Sequence, residues 1–221
     1  MSEIPTILKK LEGTSEYQIL TEIETAYERI AKEQNEWYEK TGFLCPHGCG
    51  ECCSHFEPDL MVSEALYMGA WLLEHQPVIA QSVAEDKFPF YAMDRCPFFD
   101  PDSQYHCSIY GGRPFICRLF GASGARSKTC ELVWKPCRFY PSEQLAKHDP
   151  PLKHRQYSSK ELMQVFGTLP PDMETLMAGT DADTVLLRDI LPKIIRHLLF
   201  IIGMNDNGSD NPNGTPNGFA A

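Results

Sequence analysis

Nine cysteines are the residues of this 221-residue chain that are best suited to chemistry, and all lie from Cys45 to Cys137. An odd number of cysteines cannot pair completely into disulfides, and the first residues lack the apolar stretch of a secretory signal. In the reducing cytoplasm such thiols stay free. The pattern therefore predicts a cytoplasmic protein that binds metal through thiolates, with reversible redox thiols as the alternative.

The first cysteine group is the run Cys45-Pro-His-Gly-Cys49-Gly-Glu-Cys52-Cys53. Two residues separate Cys49 from Cys52, a spacing that lets both sulfurs reach one metal ion, and the neighbouring glycines permit the tight turn this requires. Cys45 precedes Cys49 by one helical turn and can reach the same centre. In extended backbone Cys52 and Cys53 point to opposite faces, so the two can serve different centres. A strained disulfide between them is an alternative.

The second cysteine group is scattered over Cys96, Cys107, Cys117, Cys130 and Cys137. A zinc ribbon has a second pair of cysteines separated by two residues, and these gaps do not provide one. They fit a site assembled from several loops, as iron–sulfur centres often are. The spacing thus predicts a metal and leaves its identity open, with an iron–sulfur cluster favoured over zinc.

Four linked segments carry a resemblance to a known family. The C-x3-C-G-x-C-C run, followed by CPFFD, CSIY and RPFICR, resembles the YkgJ-type cysteine-cluster family of zinc- or iron-chelating proteins, over roughly residues 43 to 137. The family often has two residues between its first cysteines, where this chain has three. The resemblance implies eight cysteine ligands, the last supplied by Cys130 or Cys137, with Cys130 favoured by position. The others are Cys45, Cys49, Cys52, Cys53, Cys96, Cys107 and Cys117.

The same cysteine region is similar to that of flagellin lysine N-methylases, which use an iron–sulfur cluster with S-adenosylmethionine. This similarity implies a redox or protein-modifying role, and a structural zinc module without catalysis is the alternative. No glycine-rich dinucleotide fingerprint gives independent support for an organic cofactor. Whether the chain is an enzyme stays open at this point.

Other polar residues also lie near the cysteines. Arg113 and Arg118 flank Cys117 and can stabilise an anionic cofactor or substrate, or balance local charge. With eight cysteines present, histidine ligands are not expected, although His47, His55 and His106 lie nearby. Asp59, Glu64 and Asp100 are candidate catalytic carboxylates, but the place of Glu64 directly after a capping serine is a sufficient structural reason for that residue. The aromatic side chains are expected to keep water away from the centre.

The charge and hydropathy of the chain restrict its partners. The formal net charge of -10 and a pI of about 5.1 disfavour nucleic acid, because a phosphate backbone would be repelled. No run approaches the roughly 18 apolar residues of a membrane span. An unknown protein partner or substrate remains compatible with the sequence.

The predicted fold is mainly α, with an irregular, metal-organised cysteine core flanked by N- and C-terminal helices. The expected division is an amphipathic helix within residues 1–41, a cysteine domain at 42–140, a helical region at 141–203 and a disordered tail at 204–221. Helix signals predict four helices. These are Ser15–Lys40 with a Ser15/Gln18 capping box, Glu64–His75 capped by Ser63, a helix from Ser158 or Ser159 to Phe166, and one capped by Asp183 that runs to Ile202 and bends at Pro192.

Overall fold

The predicted mainly α fold with a central cysteine region is confirmed. The computed structural model describes residues 2–43, 49–90, 95–176 and 183–209. Helices dominate this part of the chain, and the two small sheets have strands of two or three residues. No helix among the described residues is both long and apolar enough to cross a membrane.

The longest helix, α2 (Ser15–Thr41), forms where the apolar periodicity predicts it. Its buried side chains recur every three or four residues and include Ile23 and Trp37, so one face packs inward. Thr14, rather than Ser15, is the N-cap, because its hydroxyl accepts the N–H of Tyr17. The expected Ser15/Gln18 capping box was wrong in this detail. Gly42 ends the helix in a left-handed conformation.

The larger apolar core joins helices from both ends of the chain. Around α3 (Val62–His75) pack α2, α1 (Pro5–Lys10), α4 (Pro77–Ala84) and α9 (Leu187–Ser209). Almost the whole middle of α3 is buried. Gly69 permits the close approach of α9, since a Cβ there would lie only 3.1 Å from Ile194. The core is therefore built around α3, which lies inside the segment expected to be the cysteine domain.

Two helix starts differ from the sequence expectation. The N-cap of α3 is Met61 and not Ser63, because the Glu64 carboxylate accepts the Met61 N–H at 3.0 Å. Asp183 does not cap α9, since strand β5 (Val185–Leu186) comes between them and pairs antiparallel with β1 (Asp59–Leu60). A local hydrogen bond therefore sets the start of α3, whereas strand pairing distant along the chain sets the start of α9.

The C-terminal helix also ends later than expected. It passes Ile202 and continues to Ser209, into the segment predicted to be a disordered tail. The Asn205 amide donates to the Lys10 carbonyl at 2.8 Å, which anchors this last part on α1. The rest of the expected tail, residues 210–221, lies outside the described residues.

A smaller, aromatic core lies around the end of α2. A three-stranded antiparallel sheet has the order β2-β3-β4, from strands β2 (Ala125–Arg126), β3 (Leu132–Trp134) and β4 (Tyr157–Ser158). The Trp37 and Trp134 rings meet edge to face, 5.7 Å apart, with Phe43 beside them. The remaining short elements are a 3-10 helix (Tyr110–Gly112), α5 (Phe115–Leu119), α6 (Ser142–Leu145), α7 (Ser159–Phe166) and α8 (Met173–Leu176).

Candidate metal centre

A cavity of about 570 Å³ borders both cores and collects cysteines from distant parts of the chain. Its walls include side chains of α2 and α3 and of the aromatic core, among them Gln34, Met68 and Tyr140. The sequence-predicted thiols from both cysteine groups meet here. The cysteines lining it are Cys49, Cys52, Cys53, Cys96, Cys107, Cys117 and Cys137.

Three of these sulfurs lie in the same kind of turn. The backbone N–H two residues further along points at the sulfur of Cys96, Cys107 and Cys137. Backbone N–H groups aimed at sulfur stabilise a thiolate, because they donate hydrogen bonds to its negative charge. The turns therefore prepare these positions for anionic sulfur.

Cys117 is positioned differently, on the short helix α5. The buried Glu64 carboxylate accepts the Phe115 N–H in the first turn of α5, at 2.5 Å. The Gln34 side chain on α2 donates to the Arg118 carbonyl at the other end. Burial raises the pKa of Glu64, while the two backbone N–H groups it accepts oppose that rise. Polar side chains of α2 and α3 thus hold Cys117 at the cavity wall.

The first cysteine group is held by a close backbone contact. The Cys53 N–H donates to the Gly50 carbonyl at 2.9 Å, which closes a turn, and the Cys52 and Cys53 sulfurs are 3.7 Å apart. Gly50 packs directly on His106, since an added Cβ would lie 2.2 Å from the His106 Cβ. This contact joins the first cysteine group to the loop that carries Cys107.

Burial and hydrogen bonding set the charge state of the sulfurs. Burial raises the pKa of Cys96 to about 12 and also raises the pKa of Cys107 and Cys117. The hydrogen bond shared with Cys53 lowers the pKa of Cys52, so Cys52 is the more acidic thiol of that pair. A bound cation would shift the buried thiols toward the thiolate form.

The sulfurs surround a wide space instead of a compact ion site. Among the residues that the structure describes, no three cysteine, histidine or carboxylate side chains group closely enough to hold one metal ion. Cys45 and His47 lie outside the described residues. The donor set nonetheless fits a metal centre, because soft thiolates that line one cavity are the ligands that zinc and iron–sulfur clusters take.

Comparison with known proteins agrees with this donor set. Residues 44–138 match the sequence model of the CxxCxxCC family, described as a "Putative zinc- or iron-chelating domain". The matched residues make up under half of the chain. The match supports metal binding, with zinc or iron as the metal. No curated protein and no solved structure matches the chain.

Within the matched residues 44–138, Cys130 and Cys137 occupy very different places. Cys130 is exposed, has a left-handed backbone (φ 60°), and lies in the loop joining β2 to β3. It does not line the cavity, whereas Cys137 does. The structure therefore does not bring Cys130, the sequence-favoured eighth ligand, to the other cysteines.

A sequence signal for Cys137 was available and was missed. Cys137 begins a cysteine–any–apolar–aromatic run, Cys-Arg-Phe-Tyr, and Cys130 begins Cys-Glu-Leu-Val. The apolar and aromatic side chains anchor the turn that follows the cysteine, and its N–H groups then reach the sulfur. The other runs of this type are Cys96-Pro-Phe-Phe, Cys107-Ser-Ile-Tyr and Cys117-Arg-Leu-Phe.

The two arginines that flank Cys117 have different surroundings. Arg118 is bonded to backbone: its Nε donates to the Arg113 carbonyl at 2.9 Å and a terminal nitrogen to the Gly111 carbonyl at 2.5 Å. Its guanidinium also lies over the Tyr27 ring. Arg113 stacks on Tyr110, 3.6 Å from the ring centroid, and its charge favours the thiolates of Cys52, Cys107 and Cys117. Both arginines line the cavity.

The other polar candidates lie away from the described cavity wall. Asp59 and His55 are exposed, and Asp100 accepts a turn N–H from Asp102. His106 packs on Gly50 and the ring of Phe99. None of these side chains, nor that of Glu64, lines the part of the cavity formed by described residues.

Proposed function

We propose that the CxxCxxCC domain holds an iron–sulfur cluster in the 570 Å³ cavity. The observation that carries this proposal is the convergence of seven cysteines from distant segments on one cavity. Cys45, which lies outside the described residues, is proposed as a further ligand because of its place in the first cysteine run. The proposed ligands are Cys45, Cys49, Cys52, Cys53, Cys96, Cys107, Cys117 and Cys137.

Two features favour a cluster over a single zinc ion. A structural zinc site uses four ligands, and seven described cysteines line this cavity. The described ligands also do not group around any one point. An inorganic cluster spans several atoms and can therefore be reached by sulfurs that are too far apart for one ion.

The cavity favours a centre that reacts over one that only stabilises the fold. Structural zinc sites are closed, whereas reactive metal sites keep access to solvent or substrate. Several exposed side chains at the cavity wall are aromatic: Phe56, Tyr105, Tyr110 and Phe120. We therefore propose a redox role, in a reducing compartment such as the cytoplasm.

The residues of the chain would stabilise the charge of such a centre. When bound, the cluster supplies one-electron transfer. The N–H groups that point at Cys96, Cys107 and Cys137 would stabilise its negative charge, as would the Arg113 guanidinium. The surrounding aromatic side chains would limit water access and so tune the potential.

Anaerobic purification with metal and sulfide analysis tests the proposal. The expected result is a brown protein that contains iron and acid-labile sulfide and bleaches on reduction. A colourless protein with stoichiometric zinc and no sulfide would overturn the cluster and support a structural zinc module. A metal-free protein with reversible disulfides would overturn metal binding and support a thiol redox sensor.

A matched pair of cysteine variants tests the ligand set. Cys137→Ser should lower the iron and sulfide content, because it removes a sulfur from the cavity wall. Cys130→Ser should leave both unchanged, since Cys130 is exposed on a hairpin loop. The reverse pattern would overturn our assignment of Cys137. An S-adenosylmethionine-linked role stays a prediction from the resemblance, and calorimetric titration of the loaded protein with that compound tests it.

A further inference from the structure

Apart from its cysteines, the cavity wall carries many aromatic side chains and two arginines. In this chain acidic residues outnumber basic ones by 30 to 20, and the net charge is -10. Yet among the described residues lining the cavity there is no aspartate, glutamate, histidine or lysine, and the charged side chains other than the thiols are Arg113 and Arg118. The absence of carboxylates from this wall favours an anionic guest.

Arg113 is the arginine whose donors remain available. Arg118 already donates to two backbone carbonyls. The Nε of Arg113 is buried and has no hydrogen-bond partner within the described part of the chain, where no carboxylate forms an ion pair with it either. A buried donor without a partner is costly, so such a group points to a ligand that completes it.

The Arg113 guanidinium is also held in a fixed orientation. It lies flat on Tyr110, and the Tyr110 ring stacks on Tyr105 at 4.1 Å between centroids. Stacking occupies the face of a guanidinium and leaves its edge, which carries the N–H groups, free to donate. A fixed planar edge matches the two oxygens of a carboxylate or phosphate.

The volume of the cavity leaves room for an organic molecule. Sites for organic ligands usually measure about 300–1,000 Å³, and this cavity has about 570 Å³. Aromatic side chains such as Phe120 and Tyr38 supply the apolar surface that such sites present. The combination is an apolar wall with one oriented cation beside it.

We infer that the cavity binds a small organic anion, with a carboxylate or phosphate on Arg113 and a flat or apolar body against the aromatic wall. This site deepens the proposed function, since the anion would lie beside the proposed cluster and could be its substrate. Recognition of the anion rests on Arg113 and the aromatic side chains and not on the metal, so the two proposals can fail separately.

Binding of naphthalene probes to the full-length, anaerobically purified protein tests the inference. The probes are 2-naphthoate, 2-naphthyl phosphate, neutral 2-naphthamide and cationic 2-naphthylmethylammonium. All share the flat naphthalene ring, so the titrations show how the charge of the attached group changes the affinity. We expect saturable 1:1 binding of at least one anion, about 10-fold or more tighter than the amide. The tighter of the two anions identifies the anionic group. Iron, zinc and sulfide are measured in every sample, so failure of the cluster is seen independently.

Variants assign the binding to the proposed wall. Arg113→Gln should weaken the anion about 10-fold or more, to the affinity of the amide, and should leave the amide unchanged. Phe120→Ala should weaken anion and amide alike. Arg155→Gln is the control, because Arg155 also stacks on a tyrosine, 3.9 Å from the Tyr157 centroid, but does not line the cavity. Arg113→Lys, which keeps the charge, provides a second variant if Arg113→Gln does not fold.

Two outcomes would overturn the inference. One is that no naphthalene anion binds more tightly than the amide. The other is that Arg113→Gln and Arg113→Lys change the metal content while the affinity for the anion stays unchanged. In that case the role of Arg113 would be to neutralise the thiolates alone.

Discussion

The helical body and the cysteine segments of this protein are held together in different ways. The body is held by apolar burial: α3 has nine consecutive buried residues from Glu64 to Leu72, and α9 covers it with Leu191, Ile195 and Leu198. The cysteine segments have short elements and turns, and seven of their thiols line a cavity instead of packing against one another.

This difference indicates a division between the scaffold and the site. A packed apolar core can fold without a ligand, because burial alone repays much of the conformational entropy. Loops around a cavity lack that gain and depend on what fills it. The comparison leads to predictions in which the two regions respond differently.

The largest expected effect follows metal removal. Anaerobic treatment of the loaded protein with a strong chelator should raise amide exchange at 49–57 and 96–121 by about 100-fold or more, because the turns lose their central ligand. Amides in α3 and α9 should change by less than about 3-fold. Hydrogen exchange with mass spectrometry measures both regions in one sample, and equal loss of protection in both would break the comparison.

Truncation in the helical body should have the opposite signature. Leu198 is fully buried against α3, so Leu198→Ala should lower the free energy of unfolding by about 2–5 kcal/mol. The metal content of the folded fraction should not change. Urea unfolding measures the loss. Phe200→Ala is the control, because Phe200 is 63% exposed on the same helix and its truncation should change the free energy of unfolding by no more than about 0.5 kcal/mol. Metal loss in folded Leu198→Ala would contradict the separation of the two regions.

A glycine substitution should affect the cysteine region more than the body. Gly50→Ala places a Cβ in the His106 side chain, so the two cysteine loops must separate. This should lower the free energy of unfolding by about 1–3 kcal/mol and reduce the metal content. Gly203→Ala is the control, because a Cβ at Gly203 in α9 meets no atom within 4 Å and alanine favours a helix. Metal analysis and thermal unfolding compare the two variants. Full metal content in Gly50→Ala would show that the loops tolerate the separation.

The smallest expected effect concerns the start of α7, away from the cavity. Arg155 holds the pKa of Glu161 at about 2, below its ordinary value of 4.5. The Glu161 carboxylate therefore contributes stability above about pH 4.5, and this contribution is lost as the pH falls toward 2. Glu161→Gln should lower Tm slightly at pH 7 and not near pH 2, with Glu36→Gln as an exposed control. An equal Tm difference at both pH values would contradict the linkage.

Much of the helical frame could be predicted from sequence because its signals are local. The apolar periodicity of α2 and the predicted helix from Ser158 or Ser159 to Phe166, which is α7, both appear where the sequence indicates them. The start of α9 could not be predicted, because it depends on the pairing of β5 with β1, more than a hundred residues away. Pro77 begins α4, a helix that is not among the four predicted ones.

The candidate site was harder to predict than the frame. Residue type and motif identified the cysteines, but spacing could not separate Cys130 from Cys137, since both follow Cys117 at plausible distances. Their environments separate them: Cys130 lies on an exposed hairpin and Cys137 in a turn anchored on the aromatic core. Residue type alone also could not distinguish Arg118 from Arg113. The hydrogen bonds that Arg118 donates to the Gly111 and Arg113 carbonyls do distinguish them.

The helix α2 contributes to both cores, with Ile30 in the larger one and Trp37 in the aromatic one. These residues are two turns apart, about 10 Å along the axis, and the cavity residue Gln34 lies between them. The helix therefore acts as a spacer that fixes how far apart the opposing walls stand. Inserting a single residue between Ile30 and Trp37 would rotate one core by about 100° relative to the other, so the span of this helix sets the size of what the protein can enclose.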